Sequence, residues 1–191
     1  NMSKHQNDTT DRTTTLLMEN IDSLKFCLIA ILIFSLLYVV YSSLLIDIKY
    51  YNQYLNLLCS MASQLLNQFL SEATSVKYFR MSDTFELQFS NLYITINNSA
   101  DAFIPTALLI SAILAWPNSF IHKLMATIVC IAYMFTLNVF RIAATMLIEI
   151  YQPLYFDLFT IWILPIVLML AALVFFYLWV LLSKSSTETP N

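Results

Sequence analysis

Residues Phe26 to Ile46 read FCLIAILIFSLLYVVYSSLLI, a run without a single charge. A helix needs about 20 apolar residues to cross a hydrocarbon layer about 30 Å thick, so this run is long enough to span a bilayer. It is too long, and lies too far into the chain, to be a signal-peptide core. The remainder keeps the same character. Of 191 residues, 59% are hydrophobic and 11% charged, where a soluble domain carries about a quarter charged. The apolar excess needs lipid to cover it, and the length suits one domain.

Outward from this run, the residues before it are rich in Thr, Asn and Asp and form a polar tail over 1–22, with Asn1-Met2 expected to be a leftover of expression. Further apolar stretches give spans over about 102–117, 124–148 and 158–183, followed by a polar tail over 185–191. The expected fold is an all-α integral membrane protein of about four transmembrane helices, with residues 23–184 as one membrane domain. Lys4, Arg12 and Lys25 precede the first span, Lys123 lies in the turn after the second, and Lys184 follows the fourth. Basic residues are retained on the cytoplasmic side. Both termini are therefore expected in the cytoplasm, and the segment 47–101 outside as a cap.

Within that cap, Tyr54, Leu57, Leu58, Met61, Leu65, Leu66, Phe69 and Leu70 recur at helical spacing, which predicts an amphipathic helix over Tyr50 to Ser71. From Val76 to Asn97 apolar and polar residues alternate, notably Phe85, Leu87, Phe89 and Leu92, Ile94, Ile96. This predicts two or three short strands with a turn near Ser82-Asp83.

Composition excludes several functions. The chain has no glycine, and phosphate-cradling loops need glycine to let backbone N–H groups approach the phosphates. A net charge of -3 with 9 basic residues gives no electrostatic footprint for nucleic acid. Cys27, Cys59 and Cys130 form no CxxC pair, and His5 and His122 lie on separate segments. No metal or other cofactor is expected. Cysteines inside apolar runs behave as small inert hydrophobes.

The residues least suited to lipid are Asn138 and Arg141, three apart on one face of the third span. An arginine in a span costs about 2.5 to 3.5 kcal/mol on insertion scales, and such residues face the protein interior or a watery cavity. Arg141 lies 18 residues after Lys123, roughly 27 Å at the helical rise, which puts it near the outer surface. A structural role would pair it with Glu149, Asp101 or Asp157. A functional role would use the guanidinium to hold a carboxylate or an oxyanion. The second span begins after Ser99, Ala100 and Asp101, and the fourth after Asp157 with Thr160 a turn further in, so three helix ends converge at that depth.

The run LNVFRIAAT, with Asn138, Arg141 and Ile142, matches an Asn-x-x-Arg-Ile signature. Together with ILAWPNSFIHKL and the spacing between the two, the block from Ile94 to Trp179 resembles the exosortase/archaeosortase family of membrane cysteine proteases or transpeptidases, most nearly the small exosortase H type. The likeness covers about half the chain. It implies a catalytic cysteine at the start of the helix before the Pro turn, an arginine in the signature, and a histidine at the start of the last span. Counting back from Pro117 places the cysteine position on Ala100, flanked by Ser99 and Asp101. Counting forward from Arg141 places the histidine position on Thr160, with Asp157 a neighbouring alternative.

Attack on a peptide carbonyl needs a thiolate or a base-activated hydroxyl, and an alanine methyl is neither. Ala100 is either an engineered Cys→Ala substitution or a natural loss of activity. Ser99 is a poor substitute, because His122 belongs to the opposite membrane face. With a cysteine restored, the resemblance implies acyl transfer near the C-terminal anchor of a secreted substrate. Arg141 would stabilise the thiolate or the oxyanion, and the residue at 160 would handle the proton. It further implies a bacterial inner (plasma) membrane location, a site on the extracytoplasmic face, and partners that are membrane-anchored secreted proteins bearing a C-terminal sorting signal, alongside lipid. The rival reading is a non-enzymatic membrane scaffold, assembly subunit or natural pseudoenzyme in which Asn138 and Arg141 bind a partner helix. The family commonly has glycine just after the nucleophile, near Ala102 of this chain.

Overall fold

The computed structural model describes residues 23–43, 48–70, 73–79, 84–96 and 102–185. Its elements in chain order are α1 (Ser23–Ser43), α2 (Ile48–Leu66), β1 (Ser75–Phe79), β2 (Thr84–Phe89), β3 (Leu92–Ile96), α3 (Phe103–Ala115) and α4 (Phe120–Tyr151). A 3-10 turn (Pro153–Tyr155), the one-turn α5 (Phe156–Leu158) and a π segment (Phe159–Ile163) then lead into α6 (Leu164–Ser185).

Among the described residues, three helices are long and apolar enough to cross a membrane: Ser23–Ser43, Phe120–Tyr151 and Pro153–Ser183. Their outward surfaces fit that solvent, with Leu32 69%, Ile121 72% and Leu182 69% exposed. The span expected at 102–117 is corrected. It forms the 13-residue α3, about 20 Å long, which is shorter than the hydrocarbon layer of about 30 Å. Pro117 disfavours helical geometry at the residue before it, and Trp116 turns extended at ψ 136.

Ring contacts and turns fix how the helices alternate. Phe26 near the start of α1 meets Trp116 edge to face at 5.7 Å, and Tyr41 near its end stacks on Phe103 at 3.7 Å. α1 and α3 therefore run side by side in opposite directions. Asn118 in the α3–α4 turn donates from Nδ2 to the Ser183 hydroxyl near the end of α6. Lys123 Nζ donates to the carbonyl of Leu114 at 2.8 Å, placing a cation at the C-terminal end of α3, where the helix dipole favours it. One end of the bundle thus gathers the α1 start, the α3–α4 turn and the α6 end.

α4 is the common element. Its 32 residues rise about 48 Å, well beyond a bilayer core. The first half packs in the bundle, where Ala126, Cys130 and Met134 meet Leu109, Ile113, Leu168 and Ala172. The second half carries the cap, where Val139, Ile142, Ala143 and Met146 meet α2 and the sheet.

The cap helix forms as expected, with a rotated buried face. Leu55, Leu58, Cys59, Ala62 and Leu66 are fully buried, while Leu57 and Met61, which belong to the apolar spacing, are 53% and 42% exposed. Cys59 and Ala62 are the small residues of this buried face, while Met61 borders a shallow cavity with Phe135, Thr136, Val139 and Phe140 of α4. Burial pushes the Cys59 thiol up to about 12, because the thiolate loses its hydration. The end of α2 is tied to the start of β1 by Thr74, whose N–H donates to Asn67 Oδ1 at 2.7 Å and whose hydroxyl lies 2.7 Å from that of Ser63.

The sheet is antiparallel in the order β1-β2-β3. Phe85 and Leu87 alternate with Glu86 and Gln88, putting the apolar pair inside. The turn expected at Ser82-Asp83 lies outside the described residues. A second turn, Ser90-Asn91, joins β2 to β3.

Because the chain has no glycine, other residues occupy the left-handed positions. Ser90 has φ 51 and Ala102 φ 54, conformations that cost a non-glycine residue roughly 1–2 kcal/mol. Ala102→Gly is expected to stabilise the protein by about 1 kcal/mol, read as a higher thermal midpoint in detergent. An unchanged or lower midpoint would show that this strain is absent.

Candidate functional site

A polar stripe runs up α4. Asn138, Arg141, Thr145 and Glu149 follow at spacings of three and four, which keeps them on one helical face. Asn138 is fully buried. The other three border a cavity of about 420 Å³, closed by Tyr93, Ile94, Thr95 and Ile96 of β3, Ile142, Phe156 and Thr160. A second cavity of about 690 Å³ lies between α1, the start of α3 and the start of α6. It is lined by Tyr38, Tyr41, Ala102, Phe103, Ile104, Pro105, Arg141, Thr160, Ile161, Pro165, Leu168 and Met169. The first, upper cavity is bordered by the cap and the second, lower one by the bundle. Arg141 and Thr160 are the two residues shared by both.

Thr160 has an unusual backbone. It lies in the π segment Phe159–Ile163, where the Leu164 N–H reaches back to the Phe159 carbonyl. Pro165 explains the wider turn: it lacks an N–H and its ring crowds the carbonyl four residues earlier, and π-bulges relieve such conflicts and occur often at functional sites. The consequence for the side chain is clear by comparison. Thr106, Thr127, Thr136 and Thr145 each donate to the carbonyl four residues back at 2.8–2.9 Å. Thr160 Oγ1, shielded from solvent, has no hydrogen-bond partner among the described residues. A buried hydroxyl left so is about 1–3 kcal/mol worse than a paired one, and it stands where the cavities meet.

Ser99, Ala100 and Asp101 lie outside the described residues. Ala102, just after them, is 6% exposed and lines the lower cavity with Arg141 and Thr160. Asp157 is exposed and borders neither of these cavities. None of the cysteines borders either one. His122 is exposed at the α3–α4 turn, with Nδ1 2.6 Å from the Ser119 hydroxyl, at the far end of α4 from Arg141. Neither cavity therefore has a thiol or an imidazole on its described lining.

Several lining residues carried no signal at the sequence level. Tyr38 and Tyr41 sit in an apolar run where aromatics are ordinary. Pro165, one turn into the last span, was the available hint of a distorted helix at Thr160. Glu149 was weighed only as an ion-pair partner, and its place on the stripe with Thr145 follows from the same spacing.

The arrangement offers a fixed cation and a hydroxyl at a boundary between polar and apolar space. Such a pair can hold a carbonyl oxygen or a carboxylate of a chain passing from one cavity to the other. The fold and site define a membrane protein with a helical bundle, a small mixed cap and a cavity pair joined at Arg141. The chain matches no known protein family, no curated protein and no solved structure.

Proposed function

We propose that this chain is an exosortase-like membrane protein that binds the C-terminal anchor region of secreted proteins at the extracytoplasmic face. With Ala100 at the nucleophile position and Thr160 at the histidine position, it binds without cutting. The observation that carries this reading is that Arg141 and Thr160 line both cavities, with Ala102, just beyond position 100, beside them on the lower one. α3, running antiparallel to α1 and too short to cross by its helix alone, serves as the fourth crossing together with the segments that flank it. Both termini then lie in the cytoplasm and the cap outside.

The chemistry follows from what is present and what is missing. Arg141 would donate to the carbonyl oxygen of the bound backbone, and the Thr160 hydroxyl would add a second donor. A cysteine at position 100 would supply the thiolate. Its sulfur would bond to the carbonyl carbon, the C–N bond would break, the leaving amine would take from the group at 160 the proton that the thiol gave up, and water or an amine or hydroxyl acceptor would then cleave the thioester to free the processed protein.

The test is processing of a co-expressed secreted protein from the same genome that ends in one membrane span. The chain as it stands should retain that protein intact. Ala100→Cys combined with Thr160→His should release it without its C-terminal span, seen as a mass loss, and Ala100→Cys alone should act more slowly. Retention without processing by the double variant would replace this reading with a non-enzymatic scaffold. Neither retention nor processing would overturn it.

A further inference from the structure

Tyr93, Ile94, Thr95 and Ile96 are consecutive, yet all four border the upper cavity. Side chains of a strand point alternately to its two faces, and here Ile94 and Ile96 are buried while Tyr93 and Thr95 are exposed. Four successive residues can border one space only where the strand turns its edge toward it. Among the described residues β3 is an edge strand, paired with β2 alone.

The register says which backbone groups lie on that edge. Phe89 and Leu92 flank the two-residue turn, so they form a hydrogen-bonded pair, and the alternation of an antiparallel ladder extends this to Leu87 with Ile94 and Phe85 with Ile96. The N–H and C=O groups of Tyr93 and Thr95 therefore face away from β2, toward the cavity. Among the described residues, no backbone hydrogen bond outside the sheet uses them.

Resting on the function proposed above, we infer that β3 is a receiving edge: the stretch of the bound protein just outside its membrane span pairs with Tyr93 and Thr95 as a fourth strand. The span itself then lies against the lower cavity. Strand addition supplies affinity through main-chain bonds. The pair of cavities selects this occupant. A lipid tail suits the apolar lower cavity but makes no use of a row of backbone donors and acceptors, and a soluble peptide leaves the lower cavity empty. A polypeptide leaving water for the bilayer uses both, passing Arg141 and Thr160 at the boundary.

The experiment is disulfide mapping on the full chain. Cys27, which is exposed, is replaced by Ala, while the fully buried Cys59 and Cys130 are kept. The probe is the co-expressed secreted protein with one C-terminal span, carrying a single cysteine stepped through the residues before and within that span. Tyr93→Cys should cross-link at every second position before the span, and Met169→Cys at positions within it. Thr95→Pro removes the outward N–H without touching the bonds to β2, and should lower the Tyr93→Cys cross-link about two- to tenfold, the worth of one hydrogen bond. Thr95→Val, which keeps the N–H, should leave it unchanged. If Met169→Cys links to the span while Tyr93→Cys links nowhere, or at all positions equally, strand addition is overturned and the binding function stands. If neither links, both fall. Should Thr95→Pro fail to fold, the period of the Tyr93→Cys cross-links decides alone.

Discussion

Arg141→Leu is expected to weaken retention of an anchored secreted protein about ten- to hundredfold, the worth of a hydrogen bond to a charged group at about 1.5–3 kcal/mol. The guanidinium borders both cavities, so its loss removes the one cation at their junction among the described lining residues. Arg141→Lys should fall between, since an ammonium keeps the charge and loses the planar fork. The discriminating readout is folding. Removing an arginine near the outer end of a span does not hinder insertion, so a binding role predicts lost retention with an unchanged elution profile and thermal midpoint. A structural anchor would show the reverse, with a lower midpoint and retention falling only in proportion to folded protein. Asp157→Asn, on an exposed turn outside both cavities, should change neither.

Leu58→Ala is expected to destabilise the cap by about 2–5 kcal/mol. Leu58 is fully buried in the cluster that joins α2 to the sheet and the second half of α4. Small domains hold only about 5–15 kcal/mol in total, so a loss of that size raises the open population of the cap about thirtyfold or more, which proteolysis reads. The bundle has its own cluster, centred on Ile113, Cys130 and Met134, and should persist. Limited proteolysis in detergent should therefore cut within 48–96 while leaving a protected fragment that contains α3, α4 and α6. Uniform degradation of the whole chain would show that cap and bundle unfold together.

The membrane character and the cap's elements were readable because both rest on periodicity over many residues. The run from Phe26, the alternation around Phe85 and Leu87, and the apolar spacing of α2 each declare one element locally. Which face of α2 turns inward was not readable, since Leu57 and Met61 are as apolar as Leu55 and Leu58, and the choice depends on how closely α4 approaches. The second span was over-read: an uncharged stretch from Ala102 to Pro117 says nothing of the left-handed start or the early stop that trim it to thirteen helical residues. At the site, Arg141 and Asn138 announced themselves by being polar in an apolar helix. Thr160 was reached by counting within a resemblance, whereas its orphaned hydroxyl depends on a π turn that hydropathy does not register. The left-handed φ of 54 at Ala102 left no mark in the sequence, because alanine is not a residue that favours that region.

The continuous α4 gives the protein a fixed internal ruler. Arg141 stands 21 residues after Phe120 in one uninterrupted helix, about 32 Å along its axis, a height set by covalent geometry while the surrounding lipid is free to vary. In a bilayer a few Å thicker the guanidinium sinks into hydrocarbon, and in a thinner one it rises into water, each at a fraction of a kcal/mol per Å of mismatch. Any anchor held at that junction is gauged by the same rod, so lipid chain length becomes a variable that tunes which anchored proteins fit.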